Sequence, residues 1–182
     1  MFDSYEKTYT FAEVITDNTR KGYKFDSCFY QKEGEIAIVD QGRELFCGRI
    51  NEQESCKPWT DPAIIFGDHT ELFKCVEVPF YLGADGTKLL SVHEGWNIKF
   101  VYYFLKYNYH PTGGYRRHFV FVKEQLFSKP PIFLQIEFAN FVTHVDKTKA
   151  ICKKIIQSLN NLVKSRFIEM FGDPVSSERY SR

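Results

Sequence analysis

A chain of 182 residues with hydrophobic side chains at 43% has room for one sizeable domain plus an appendage, and is too apolar for general disorder. It has no run of eighteen apolar residues and no charged N-terminal region leading into an apolar one, so a cytoplasmic protein is expected rather than a secreted or membrane-spanning one. The net charge of +1 taken alone argues against a nucleic-acid binder, yet residues 95–123 hold five bases (Lys99, Lys106, Arg116, Arg117, Lys123) and no acid, either a basic surface for phosphate or a chance cluster on a solvated face.

In chain order, the first 94 residues break into short apolar runs between turn signals. Runs at 35–40, 63–66, 75–78 and 87–92 suit strands and are bounded by breakers such as Gly34, Gly42, Gly67-Asp68 and Gly83-Ala84-Asp85-Gly86. Residues 96–107 read as a helix, with Phe100, Val101, Phe104 and Leu105 on one face. A loop at Pro111-Thr112-Gly113-Gly114 follows, then a short strand over 119–122. The expected fold class is α+β: a strand-rich globular domain over 1–129, one long helix over 130–173 and a polar tail over 174–182.

The long helix is the clearest periodic feature. After Pro131, which suits a first helical turn, neither proline nor glycine recurs until Gly172. Leu134, Phe138, Phe141, Val145, Thr148, Cys152, Ile155, Leu159 and Leu162 alternate at spacings of four and three, the seam of a coiled coil. Val142, Ile156, Val163 and Met170 widen that seam on one flank. A helix of roughly 60 Å is longer than a domain of this size is wide, so it is expected to extend beyond the domain and to need a partner, a second copy or another protein; the alternative is a helix folded back over its own domain. Lys147, Lys153 and Lys154 lie on its polar side, either solvated or facing DNA.

Chemistry-bearing residues are dispersed. The cysteines (Cys28, Cys47, Cys56, Cys75, Cys152) form no C-x-x-C pair and read as reduced, mostly buried thiols. The histidines (His69, His93, His110, His118, His144) are equally scattered, so no metal site is expected. Gly114-Tyr115-Arg116-Arg117-His118 offers two guanidiniums beside a flexible glycine; they suit guanine or phosphate, or a salt bridge to the acidic 61–94 segment. Asp40-Gln41-Gly42-Arg43 follows a buried-type strand and presents Gln41 and Arg43 either to bases or as a plain turn. Asp68 and His69 admit three roles: a hydrogen-bonded turn, a base or phosphate contact, or a carboxylate–imidazole pair of a small enzyme. There is no glycine-rich S-adenosylmethionine loop, no Asn/Asp-Pro-Pro-Tyr motif, no Walker loop and no nuclease carboxylate cluster.

Several stretches together carry a family resemblance. They are Ile38-Val39-Asp40-Gln41-Gly42, Pro62-Ala63-Ile64-Ile65-Phe66-Gly67-Asp68-His69-Thr70, Phe80-Tyr81-Leu82-Gly83-Ala84-Asp85-Gly86-Thr87-Lys88-Leu89-Leu90 and Gly114-Tyr115-Arg116-Arg117-His118-Phe119. Pro130-Pro131, Leu134-Gln135 and Lys164-Ser165-Arg166-Phe167-Ile168-Glu169-Met170-Phe171-Gly172-Asp173-Pro174 complete them. In this order the sequence resembles the specificity subunits of type I restriction–modification enzymes. The resemblance implies a target recognition domain followed by a coiled-coil helix, reading one half of a bipartite site in double-stranded DNA. It implies no catalysis and no cofactor in this chain, with S-adenosylmethionine on a separate methylating subunit and cleavage on a restriction subunit. Complete subunits carry two such units in tandem, whereas this sequence has one, a natural half-subunit or a fragment; one unit is expected to form a homodimer through the helix. Residues expected to contact DNA are Gln41, Arg43, His69, Thr70, Lys88, Tyr115, Arg116, Arg117 and His118; the expected helix interface is Leu134, Phe138, Phe141, Val145, Cys152, Ile155, Leu159 and Leu162. Two other readings are a stand-alone homodimeric DNA-binding regulator and an enzyme built on Asp68 and His69.

Overall fold

A computed structural model of the chain describes residues 7–83, 86–111, 114 and 117–172. Contacts divide the chain into two units, one ending at Ala139 and the other starting at Asn140. The first is a mixed α+β body, and the second belongs to a long helix.

The apolar runs found in the sequence become strands, joined by shorter ones that no alternation announces. In chain order the elements are β1 (Thr8–Tyr9), α1 (Phe11–Val14), β2 (Ile15–Asp17), β3 (Ile36–Val39), β4 (Gly48–Ile50), β5 (Ala63–Gly67), β6 (Phe73–Val76), β7 (Phe80–Leu82) and β8 (Thr87–Val92). Helices α2 (Ile98–Asn108) and α3 (Phe119–Lys123), strand β9 (Phe127–Ser128) and helix α4 (Ile132–Phe171) complete the chain. An antiparallel sheet runs β2-β8-β5-β6, a second runs β4-β3-β7 with β3 and β7 parallel, and β1 pairs with β9.

β5 is apolar at every position because both of its faces are covered. Ile64 and Phe66 point into a cluster with Val101 and Leu105 of α2 and with Phe119 and Val122 of α3. The alternate residues Ala63 and Ile65 point the other way, onto Ala37 and Val39 of β3 and Phe80 and Leu82 of β7. Leu89 and Leu90 of β8 divide between the same two cores, as the two-residue period of a strand requires. A third cluster, Phe25, Ile38, Ile50, Cys56 and Tyr81, covers the far face of the second sheet. The order is therefore helices, sheet, sheet and an aromatic loop layer.

Two expectations are corrected. Residues 119–122 are helical rather than extended. Their β-branched, aromatic composition favours a strand, but the Asp68 side chain accepts a hydrogen bond from the Phe119 N–H at 2.8 Å and so supplies a helix cap from a distant segment. Among the cysteines Cys56 is buried, whereas Cys28 and Cys152 are exposed and Cys47 and Cys75 intermediate.

α4 enters the domain through a buried amide. Gln135 is fully buried; its Oε1 accepts from the Asn97 N–H at 2.8 Å and its Nε2 donates to the Pro130 carbonyl at 2.8 Å. Asn97 is itself the N-cap of α2, its side chain accepting from Phe100 N. Gln135 thus joins the starts of two helices, with Ala139 buried one turn on. Gln135→Leu is expected to lower the unfolding free energy by about 1–3 kcal/mol, because it strands a backbone donor and a carbonyl. Urea denaturation measures it, and a loss well under about 1 kcal/mol would show that both groups find other partners.

Candidate nucleic-acid interface

At the C-terminal end of β5 the chain turns sharply. Gly67 N donates to Leu72 O at 3.0 Å and Glu71 N to Gly67 O at 2.8 Å, which closes the turn carrying Asp68, His69 and Thr70. Gly67 has no alternative here, since a Cβ at that position meets the Gln41 Cβ at 2.7 Å and also the Thr70 hydroxyl. The turn is tied to β8 by Asp68 N donating to Gly86 O at 2.7 Å.

The end of β3 docks on this turn. Gln41 accepts from His69 N through its side-chain oxygen at 3.3 Å, and its carbonyl accepts from the Thr70 hydroxyl at 2.6 Å. Beneath it the buried Lys74 ammonium donates to the Asp40 carbonyl at 2.7 Å, with the Asp40 carboxylate 3.5 Å away. Burial pushes the Lys74 ammonium below the ordinary lysine range, and the Asp40 charge opposes that shift. Lys74 is thus a structural cation that anchors the strand end.

A second segment reaches the same turn from α3. His118 is buried; its Nδ1 lies 3.3 Å from Glu71 Oε2 and its Nε2 3.1 Å from the Gly114 carbonyl. The Tyr109 hydroxyl donates to the same Glu71 oxygen at 2.6 Å. Asp68, also buried, is occupied in capping α3 through Phe119 N. Lys88, opposite Phe66 in the β5–β8 register, holds its ammonium 5.3 Å from the centre of the Phe119 ring, and Lys123 stands 4.8 Å from that ring.

The structure thus brings Gln41, His69, Thr70, Lys88 and His118 together from four separate stretches. His69, Thr70 and Arg117 are exposed, Gln41 and Lys88 are partly so, and His118 lies in the interior. Arg43 is exposed two residues beyond Gln41. Tyr115 and Arg116 lie outside the described residues. Sequence reasoning missed Glu71, Tyr109 and Gln135, whose roles are internal hydrogen bonds that no local pattern signals. Among the described residues no group of histidine, cysteine or acidic side chains is arranged to hold a metal ion. Burial and the neighbouring Glu77 push the Cys75 thiol up to about 12, the reverse of what a nucleophilic thiol needs.

The helix carries the other candidate surface. Gln135 and Ala139 face inward, and the four–three seam lies on a different side. Leu134 and Val145 are partly buried, and Phe138, beside Phe100 at 5.9 Å, is 43% exposed. Phe141, Ile155, Leu159 and Leu162 are more than half exposed and Cys152 is exposed too. Ile156, Val163, Phe167 and Met170 extend this apolar surface. The helix ends at Phe171, where Gly172 adopts a φ of +83°. Among the described residues no helix is long and apolar enough to cross a membrane.

No protein-family model and no curated protein matches the sequence. Solved structures do match in fold. The type I restriction–modification S subunit from M. genitalium aligns over 90% of this chain and 44% of its own, with a TM-score of 0.59 and 16% identity. The HsdS subunit from Thermoanaerobacter tengcongensis aligns over 85% of this chain and 41% of its own, at a TM-score of 0.58 and 14% identity. A chain from a structure addressing complex assembly and conformational transition of the type I R-M system gives 0.66 at 13% identity, over 87% of this chain and 43% of that one. The chain spans less than half the length of each, and in fold it resembles the specificity subunit of type I restriction–modification systems.

Proposed function

We propose that this chain is a non-catalytic DNA-recognition unit of a type I restriction–modification system. It reads one half of a bipartite duplex site and docks a methylating and a restriction subunit. The observation that carries the reading is the pairing of two features in this fold: a fully or partly exposed cluster of base- and phosphate-competent side chains, and a helix whose apolar seam is exposed at Phe141, Cys152, Ile155, Leu159 and Leu162. Gln41 and Arg117 suit base edges through bidentate contacts, and His69, Thr70, Lys88 and Arg43 suit bases or the phosphate backbone. Tyr115 and Arg116 complete the reading set. His118 serves from the interior by holding the Gly114 carbonyl and the turn at Glu71. The domain assignment follows: recognition over 1–129, docking helix over 130–173, and a tail after it. Because the apolar surface of α4 is broader than one helix–helix seam, it accommodates a second helix and the methylating subunit together.

The purified chain with S-adenosylmethionine is expected to transfer no methyl group to DNA. Added to its cognate methylating subunit, it should direct methylation to a defined sequence, read by genome-wide mapping of methylated bases. Methyl transfer by the chain free of that subunit would overturn the non-catalytic assignment. Tight, sequence-specific DNA binding without any association with a methylating subunit would point instead to a stand-alone homodimeric regulator.

A further inference from the structure

We propose that Glu71 is a positioning residue for sequence reading: its carboxylate ties the turn bearing His69 and Thr70 to the segment bearing Arg117. The inference rests on the DNA-reading assignment above and names the residue that sets the geometry between the two reading segments.

Among the described residues Glu71 is the one non-glycine residue with a positive φ, +56°. That left-handed region is rarely adopted by a side chain such as glutamate, which lacks the short local hydrogen bonds that help asparagine and aspartate there. The surrounding structure holds it in place. Its backbone N–H closes the turn on Gly67, while its carboxylate accepts from the Tyr109 hydroxyl at 2.6 Å and lies 3.3 Å from His118 Nδ1. The other ring nitrogen of His118 lies 3.1 Å from the Gly114 carbonyl. Both ring nitrogens of His118 thus face oxygen atoms, one on each of the two segments. A connected path therefore runs from the β5–β6 turn through Glu71 and His118 to Gly114, with Tyr109 of the α2 C-cap bracing it. The turn alone has no need of a carboxylate, because glycine adopts this φ without strain. What glutamate adds is the cross-link, and satisfied buried networks of this kind hold their segments rigidly.

The test uses the chain assembled with its methylating subunit and compares binding to its mapped target duplex and to an unrelated duplex. Glu71→Gly keeps the turn accessible and removes the cross-link. It is expected to fold normally and to bind the unrelated duplex as before, while the ratio of specific to non-specific affinity falls about tenfold, the scale of one misread base pair. Glu71→Gln retains an acceptor for Tyr109 and should lose less; Tyr109→Phe removes one arm and should lower the ratio in a fold that keeps its ring. Ile50→Ala serves as the control for general destabilisation, since Ile50 pairs with Ile36 at the opposite end of β3 from Gln41 and packs in a separate core. Its ratio should stay unchanged. A ratio untouched by both Glu71→Gly and Tyr109→Phe, or lowered as much by Ile50→Ala, would overturn the positioning role alone. An unsubstituted assembly with no sequence preference would overturn the DNA-reading assignment itself, and this inference with it.

Discussion

Ile155→Asp combined with Leu159→Asp is expected to convert the chain from a dimer to a monomer at micromolar concentration. Phe141, Ile155, Leu159 and Leu162 each expose more than half of their surface on the long helix. Fully burying such a side chain is worth about 1.5–3 kcal/mol. With four from each copy in one seam, the gain covers the roughly 4–15 kcal/mol that association costs. Two aspartates per copy place charges where that seam would be dry, with no basic side chain at the neighbouring seam positions Cys152 and Leu162 to pair them. The dimer should weaken by more than about a hundredfold. Light scattering reads the mass, and circular dichroism checks that the helix persists. A monomeric unsubstituted chain at the same concentration would assign the seam to a different subunit, and an unchanged dimer after both substitutions would move the interface off it.

How much of this was legible in the sequence depended on whether a feature was local. The helix from Ile132 to Phe171 was legible because its period runs uninterrupted between a Pro-Pro entry and a glycine stop. The strand at β5 was legible because a run of apolar residues ends in Gly67, a residue the turn requires. By contrast, 119–122 was misread as extended: its composition favours a strand, and the group that decides the matter is a carboxylate about fifty positions away. Strands as short as β4 and β7, of three residues each, have too few alternations to announce themselves. At the candidate site, residue chemistry picked out Gln41, His69 and His118, the family resemblance added Thr70 and Lys88, and the fold gathers them. Sequence could not show that Arg117 and His118, adjacent in the chain, lie on opposite sides of the surface. That division follows from the helical start of α3 and from the Glu71 contact, both tertiary. Gln135 shows the same limit, since a glutamine inside a coiled-coil pattern looks like an exterior residue until the Asn97 and Pro130 partners are seen.

Pairing of two copies through α4, as proposed for the exposed seam, also predicts the symmetry of the DNA target. In an antiparallel pair of identical chains a twofold axis relates the two recognition units, and the Ile132 ends of the helices lie apart. Twofold protein symmetry demands an inverted repeat in the DNA, with half-site spacing set by the separation of the units. A 40-residue helix is about 60 Å long, enough to hold the units one or more turns of roughly 34–36 Å apart. The homodimer, assembled with its methylating subunit, is therefore expected to methylate an interrupted palindrome whose central bases vary freely. Within each half-site, Arg117→Ala and Arg116→Ala distinguish two kinds of contact. Loss of a bidentate guanine pair should cost about 1–3 kcal/mol and relax one base position, the same in both halves. Loss of a phosphate contact should weaken all sequences alike and flatten the salt dependence by about one unit of slope. Methylation mapping across the genome reads both results. An asymmetric target for the homodimer would contradict the twofold arrangement, and full activity and specificity after both arginine substitutions would place the reading surface elsewhere on the domain.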